Sequence, residues 1–293
     1  MNKIRFVANK DTNYVFNMLS VAKCGYDNEY GEGCRSRYCA EDLSVLKRSE
    51  NLLTVCGGQH CGALFGLIVA RPACGYLSAK EYYGKLIEKS NEVLAGNISE
   101  DTDKLLIRYA GPIIEISEVM VKYYDDYVAN IWEREKAKID RYIPELSKRF
   151  ENSLFTEKAE KLVGYNLERE YFIATLVTSV EGGAEAIDIS NEQDVFGIER
   201  THTDAYYFIG HEFIIYLLMR ALSGLNAFKS FETWALTEGL AEYYLKKITG
   251  DTRFFNEQQK YVKYYEELSG SKSMSAAELY NEGLKQFIDK KNL

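Results

Sequence analysis

Hydrophobic residues recur at helical spacing through most of this chain, and the first quarter mixes such segments with irregular ones. An amphipathic pattern predicts a helix over Asn13 to Lys23. The apolar segment from Gly62 to Arg71 fits either a strand or a buried helix, and the pattern leaves both open. Between them lies a stretch rich in Gly and Cys that predicts a loop.

Residues 78 to about 164 have a helical pattern throughout. Ser78 is followed three residues later by Glu81, which is the spacing of a capping box, and Ser99 precedes a further helical run. Periodic apolar residues continue from Ile113 to Phe150, and Pro144 is expected to break this helix because proline has no backbone N–H.

The pattern changes at about Arg169. Tyr171 to Val180 is rich in β-branched and aromatic residues, Glu181-Gly182-Gly183 offers a turn, and Ala184 to Ile189 alternates between apolar and polar residues. This succession predicts a β-hairpin.

Helices are predicted again from the hairpin to the end of the chain. The expected fold class is therefore α+β and helix-dominated, with a small antiparallel sheet or hairpin preceding the helix that carries His211. We place the domain boundary between residues 1–165, mixed and then helical, and residues 166–293. The predicted helices run from a cap at Thr203 or Asp204 to about Leu222, from about Phe231 to Ile248 with closure at Thr249-Gly250, from Phe254 to Leu268, and from Ala276 to Lys290.

The charge balance narrows the range of partners. Lys and Arg total 36 against 44 Asp and Glu, a net charge of −8, which argues against a broad nucleic-acid or anionic-membrane surface. The longest apolar runs fall short of the roughly 20 residues that cross a bilayer, and Met1 to Asp11 lack the pattern of a signal peptide. We expect a cytoplasmic protein with a peptide or protein partner, no nucleic acid and no membrane.

The cysteines invite a metal or disulfide interpretation because all six lie in the first quarter of the chain. Their spacing does not match paired CxxC motifs, and reduced thiols are the default where no signal peptide is found. We expect ordinary thiols at Cys24, Cys34, Cys39, Cys56, Cys61 and Cys74.

Candidate chemistry is concentrated in two short stretches, Gly210-His211-Glu212-Phe213-Ile214-Ile215 and Leu236-Thr237-Glu238-Gly239-Leu240-Ala241-Glu242-Tyr243. In an HExxH helix two histidines four residues apart share a face and bind one metal, while the Glu activates a water. Glu238 and Glu242 are also four residues apart, so they project from one helix face.

The order of strand hairpin, His-Glu helix and Glu-Gly-x-Ala-Glu helix resembles the gluzincin zinc metallopeptidases, the thermolysin and aminopeptidase clan, over roughly residues 170 to 250. The resemblance implies a zincin-like C-terminal half. His211 and Glu238 would be zinc ligands, Glu212 the general base, and Glu242 the carboxylate that orients His211. Thr237 stands where the family commonly has Asn. The strand Tyr171 to Val180, or its hairpin partner, would be the edge against which a peptide lies.

Ile215 departs from this pattern because it stands where the second histidine should be and has no lone pair to donate. Two protein ligands would hold zinc weakly, so we expect zinc to bind weakly or not at all. A compensating ligand could come from His202 in the preceding loop, from Tyr207 one turn before His211, or from Asp204.

The same residues also have simpler interpretations. His211 could be a buried histidine hydrogen-bonded to Glu238 or Glu242, and the two glutamates could form a solvated acidic face on which Glu242 supports Lys246.

Three classes of function therefore remain open from the sequence. The first is a degenerate or inactive zinc peptidase that binds a peptide or protein in the former cleft, which is the interpretation we adopt. The second is an active zinc peptidase with a non-standard third ligand. The third is a helical structural or interaction protein that is unrelated to peptidases.

Overall fold

The computed structural model describes residues 2–26, 28–56, 60–75, 77–180, 184–188, 191–198, 205–251, 258–271 and 273–288. The fold is helix-dominated α+β, which confirms the predicted class at this level. Two compact units divide the chain, and each is assembled from separate segments. Unit 1 comprises Met1–Arg5, Ile143–Ala174 and His202–Leu293, and unit 2 comprises Phe6–Tyr142 and Thr175–Thr201. The domain boundary at residues 165 and 166 stays a prediction.

The first quarter of the chain is more helical than its sequence pattern indicates. The segment from Gly62 to Arg71, which fitted a strand or a helix, contains a wide π-helical turn at Phe65–Ala70 and leads directly into an α-helix. Five of the six residues in this turn are buried. The elements are β1 Ile4–Val7, α1 Lys10–Val21, α2 Glu29–Cys34, a 3-10 turn Arg35–Arg37, α3 Ala40–Arg48, α4 Glu50–Leu53, the paired β2 Val55–Cys56 and β3 His60–Cys61, and α5 Arg71–Cys74.

Two long helices follow, α6 Ala79–Leu94 and α7 Lys104–Tyr127. The predicted capping box at Ser78 is confirmed, because its hydroxyl accepts from the backbone N–H of Glu81. The start predicted after Ser99 is wrong: the cap of α7 is Asp103, whose carboxylate accepts from the N–H of Leu105 at 2.9 Å. Ser99 instead closes a local turn, in which its N–H donates to the Thr102 hydroxyl at 2.9 Å.

The break predicted at Pro144 is also wrong. A π-helical turn at Val128–Trp132 leads into α8 Glu133–Ser153, and Pro144 lies inside this helix. Proline removes one backbone hydrogen bond, whereas Ile139, Leu146 and Phe150 on both sides of it are buried. The spacing of these three residues keeps them on one helix face, so burial of that face offsets the missing bond.

The hairpin lies one strand later than predicted. The four-stranded sheet has the order β1-β4-β6-β5, where β4 is Phe172–Val177, β5 is Ala184–Asp188 and β6 is Gln193–Gly197. Strand β5 pairs antiparallel with β6, with Ala184 opposite Phe196, and the sheet as a whole is mixed rather than antiparallel. The predicted turn at residues 181–183 lies outside the described residues. Strand β6 was not predicted, because polar residues and a glycine flank its only two apolar residues, Val195 and Phe196.

This strand order bears on the proposed peptide edge. Strand β4 has a neighbour on each side, so it cannot offer a free edge, whereas its predicted partner β5 lies at the end of the sheet. Of the two strands named as a candidate edge, only β5 retains unpaired backbone groups on one side within the described sheet.

The helices predicted for the last third of the chain are present. Contacts among them, and with α9, build the core of unit 1. The predicted caps Thr203 and Asp204, the predicted start at Phe254 and the predicted end at Lys290 lie outside the described residues, and α12 continues three residues past the predicted end at Leu268. Among the helices that the structure describes, none is long and apolar enough to cross a bilayer. The bounds are α9 Phe155–Val163, α10 Ala205–Ala221, α11 Phe231–Thr249, α12 Gln259–Ser271 and α13 Ala276–Phe287.

Candidate functional site

Helix α10 carries His211 in an almost wholly apolar segment. Twelve of its seventeen residues are buried, which is the pattern of a central helix packed on several sides. The helix ends as predicted, shortly before Gly224, whose φ of +89° is a backbone conformation that other residues rarely adopt.

Helix α11 carries the two candidate glutamates. A capping box between Ser230 and Thr233 starts the helix, and Gly250 with a φ of +79° ends it. Thr237, which replaces the Asn common in gluzincins, is buried and donates to the carbonyl of Ala227 at 3.1 Å. This bond ties the turn that carries Glu238 to the segment before the helix.

Glycines next to the site let the helices approach closely. A Cβ on Gly210 would lie 2.6 Å from Cζ of Phe155 in α9. A Cβ on Gly239 would lie 2.4 Å from Cβ of Tyr261 in α12. Both distances are shorter than real Cβ contacts, so a side chain next to His211 or Glu238 would force these neighbours to shift.

The imidazole of His211 lies between the two carboxylates. Its Nδ1 is 2.9 Å from Oε1 of Glu242, and its Nε2 is 2.8 Å from Oε2 of Glu238. The side chains of His211 and Glu242 are fully buried, whereas that of Glu238 is 15% exposed. The structure thus brings together three of the residues singled out in the sequence, from two separate helices.

The charge state of His211 follows from these contacts. Burial alone lowers the pKa of the imidazole, but the carboxylates of Glu238 and Glu242 outweigh burial and raise that pKa well above its usual value. His211 is therefore an imidazolium at neutral pH, with Nδ1–H donating to Glu242 and Nε2–H donating to Glu238.

Glu242 depends strongly on this cation. Within the described part of the chain, its second oxygen, Oε2, has no hydrogen-bond partner. A buried carboxylate oxygen without a partner is costly, so the neighbouring positive charge is its main compensation. The solvated acidic face suggested for Glu242 is wrong, and Lys246 pairs instead with Glu266 at 2.7 Å.

The other predicted site residues do not join this group. Ile215 is 4% exposed and contributes no donor atom. The ring of Tyr207 packs against Tyr206 and the guanidinium of Arg149, and no hydrogen bond joins it to His211 in the described ranges. Glu212 is half-buried on α10. His202 and Asp204, the remaining candidates for a compensating ligand, lie outside the described residues.

Within the described ranges, the donor set is smaller than that of a catalytic zinc ion, which usually has three protein ligands and one open position. His211 and Glu238 supply two donors side by side. Considering the described residues alone, no group of three or more His, Cys, Asp or Glu side chains could hold a metal ion. Cys34, Cys39 and Cys74 form no disulfide with any described residue, and the thiol of Cys24 lies 3.5 Å from the carbonyl oxygen of Leu46.

The burial of Glu135 was not anticipated from the sequence. Glu135 in unit 2 is 2% exposed, and burial raises the pKa of its carboxyl group. It accepts hydrogen bonds from the hydroxyls of Tyr30 and Tyr127, the latter at 2.5 Å. Tyr30 is 105 residues away along the chain, so no local pattern could reveal the contact. Phenol donors and burial in the core make this an internal structural network.

The resemblance to gluzincins therefore rests on the residues and geometry of unit 1. Each ring nitrogen of His211 contacts one carboxylate, and Ile215, one turn later on α10, has no atom that could bind a metal. Comparison of the chain with protein-family models, with curated proteins and with solved structures finds no match.

Proposed function

We propose that this chain is a metallopeptidase-like protein, a degenerate and inactive zinc peptidase that binds a peptide or protein ligand without cutting it. The observation that carries the proposal is the position of His211 between Glu238 and Glu242, combined with a buried Ile215. The first half of this observation supports a gluzincin-like arrangement, and the second half argues against catalysis.

The geometry at His211 supports the roles that the resemblance implies. A zinc-bound histidine usually donates one ring N–H to a carboxylate, which leaves the other nitrogen for the metal. Glu242 accepts from Nδ1, so Nε2 is the nitrogen that would be left for a metal, and it faces the carboxylate of Glu238 at 2.8 Å. In a neutral His211 with its proton on Nδ1, Nε2 and the Glu238 oxygen would face each other with lone pairs. A proton on Nε2 removes that repulsion and makes His211 an imidazolium.

Two features argue against zinc-dependent hydrolysis. Zinc needs a neutral imidazole, so it must displace a proton that two carboxylates hold in place. A side chain at residue 215 cannot supply the missing ligand while it is isoleucine. With no metal-activated water, Glu212 has no nucleophile to deprotonate.

The metal half of the proposal can be tested by restoring the missing ligand. We expect wild-type protein to bind zinc weakly, and Ile215→His to bind it at least about tenfold more tightly, because a third ligand converts a two-donor pair into a usual zinc site. Affinity is measured by competition with a chromophoric chelator at pH 7.

Met219→His is the matched control for this measurement. It adds the same side chain to α10 eight residues beyond His211, about 12 Å along the helix axis, which is too far to share a metal. If both variants bind zinc equally, or neither gains, the proposed facing of residue 215 toward His211 and Glu238 is wrong.

The binding half is tested with mixed-sequence hexapeptides that carry an uncharged fluorophore. We expect a rise in anisotropy on binding, and intact peptides by mass spectrometry after prolonged incubation with zinc. Cleavage that stops with a chelator and in Glu212→Gln would instead identify an active peptidase with an unusual third ligand. Absence of binding by every pool would favour a structural protein unrelated to peptidases.

A further inference from the structure

Unit 1 contains an open cavity that the sequence did not indicate. Its volume is about 570 Å³, and it is lined by side chains from α8, from the first turn of α10 and from the last turn of α11. Pockets that bind small ligands typically fall between about 300 and 1,000 Å³. The cavity is therefore large enough for one or two residues of a peptide.

The charges around this cavity are unusual for so acidic a chain. Lys148 and Arg149 contribute two positive charges to the lining, and Glu145 contributes one negative charge. Among the described lining residues, positive side chains outnumber the negative one, whereas the whole protein carries −8. Lys148 is exposed and makes no ion pair with any described residue. Its ammonium group is available to a ligand.

Aromatic rings pack against Arg149, one of the residues that line the cavity. The guanidinium of Arg149 lies over the ring of Tyr206, 4.1 Å from its centroid, and 5.3 Å from that of Tyr207. Tyr206 is itself packed against Phe150 and Phe155. Stacking on these two rings holds the guanidinium of Arg149 in one place beside the cavity.

The cavity lies close to the candidate site along the same helix. Tyr207, which lines it, precedes His211 by four residues, or about 6 Å along the axis of α10. Residues four apart share a helix face. A peptide with one residue in the cavity would therefore extend along the unit that carries His211, Glu238 and Glu242.

We propose that this cavity binds a carboxylate group of an acidic peptide, with Lys148 as the principal contact. The inference rests on the proposed function and adds the chemical class of the ligand to it. The single charge of Lys148 matches a monoanionic carboxylate better than a dianionic phosphate. Ser153 and Thr249 cannot supply further anion contacts, because their hydroxyls already donate to the carbonyls of Phe150 and Leu245.

The test uses the full chain and four pools of hexapeptides with an uncharged fluorophore. Two pools carry Glu at the varied position and two carry Gln there. Within each of these two kinds, one pool has a free C-terminus and the other has an amidated one. We expect pools that carry a carboxylate to bind more tightly than the neutral amidated Gln pool, and this preference to fall in 0.5 M salt. Preference for Glu identifies a side-chain carboxylate, and preference for the free C-terminus identifies a terminal one.

Two substitutions on α8 that change the charge in opposite directions test whether this cavity binds the carboxylate. Lys148→Gln should weaken binding of the preferred pool about threefold, and Glu145→Gln should strengthen it by a similar factor, as expected for ion pairs in contact with water. Lys161→Gln on α9, an exposed lysine outside the cavity, is the matched control and should change nothing.

Failure of the carboxylate pocket and failure of the proposed function give different results in this test. If peptides bind but all four pools bind equally, or if Lys148→Gln behaves like Lys161→Gln, the carboxylate pocket is overturned and the peptide-binding function stands. If no pool binds, the proposed function itself is overturned, and the pocket with it.

Discussion

Replacing His211 by alanine is expected to lower the free energy of unfolding by about 3 to 5 kcal/mol, the range for removal of one partner of a buried ion pair. The imidazolium lies between two carboxylates, and the side chain of Glu242 is fully buried. Without His211, the carboxylate of Glu242 keeps its desolvation cost and loses its compensating charge. Urea unfolding followed by circular dichroism measures the change.

A second substitution shows where this cost originates. Adding Glu242→Gln to His211→Ala removes the uncompensated charge, so the double variant should be more stable than His211→Ala alone. Glu238→Gln in the wild-type background should have a smaller effect than His211→Ala, because the Glu238 side chain is 15% exposed and water compensates part of the change. A loss below about 1 kcal/mol in His211→Ala would contradict a buried ion pair here.

The contacts of His211 with Glu238 and Glu242 also predict that the free energy of unfolding depends on pH. The pKa of His211 is raised in the folded protein, so the folded state holds a proton that the unfolded state loses above about pH 6.5. The stabilisation is complete below that pH and declines as the pH rises toward the folded pKa. The slope reaches at most about 1.4 kcal/mol per pH unit for one proton. Subtracting the pH profile of His211→Ala isolates this contribution.

Replacing Phe155 by alanine should also destabilise the protein by about 3 to 5 kcal/mol. The Phe155 side chain is fully buried and makes edge contacts with the rings of Phe150, Tyr206 and Phe213, so its removal leaves a cavity beside the helix that carries His211. Its neighbour Leu154 is 56% exposed, and Leu154→Ala is the matched control, expected to change stability by less than about 0.5 kcal/mol. Equal losses in the two variants would contradict the packing of α9.

Gly210→Ala completes a double-mutant cycle with Phe155→Ala. Alone it should cost about 1 to 3 kcal/mol, since the new methyl would lie 2.6 Å from Cζ of Phe155. In the Phe155→Ala background the methyl enters the cavity, and alanine also favours the helix, so the same substitution should be neutral or stabilising. Additive effects would mean that Gly210 and Phe155 are not in contact.

These measurements separate the scaffold from its function. The His211 variants test the buried ion pair, and the Phe155 cycle tests the packing that holds α10 in place. Zinc affinity of Ile215→His then tests the resemblance to gluzincins, and the peptide pools test the proposed ligand. A scaffold that is intact in the first two tests but gains no zinc in Ile215→His would favour a helical protein with no relation to peptidases.

Structural features that depend on a few neighbouring residues were predictable from the sequence. The capping box at Ser78 and the start of α11 follow from side chains that bond to neighbouring backbone groups, and the end of α11 follows from the positive φ of Gly250. The common face of Glu238 and Glu242 follows from helix geometry alone. Errors arose where a distant partner decides the outcome: Pro144 is tolerated because the face around it is buried, and β6 forms because strands on both sides pair with it.

The sequence by itself determined the helix-dominated α+β class and identified His211, Glu238 and Glu242. Helix periodicity and the chemistry of a side chain can both be recognised within a short stretch of residues. Only the tertiary structure decided that His211 pairs with both glutamates, and that Glu242 is buried rather than solvated. It also decided that Lys148, Arg149 and Tyr207 line one cavity. The physical reason is that burial and charge compensation depend on which helices pack together, and contacts between residues far apart in the chain leave no periodic pattern in it.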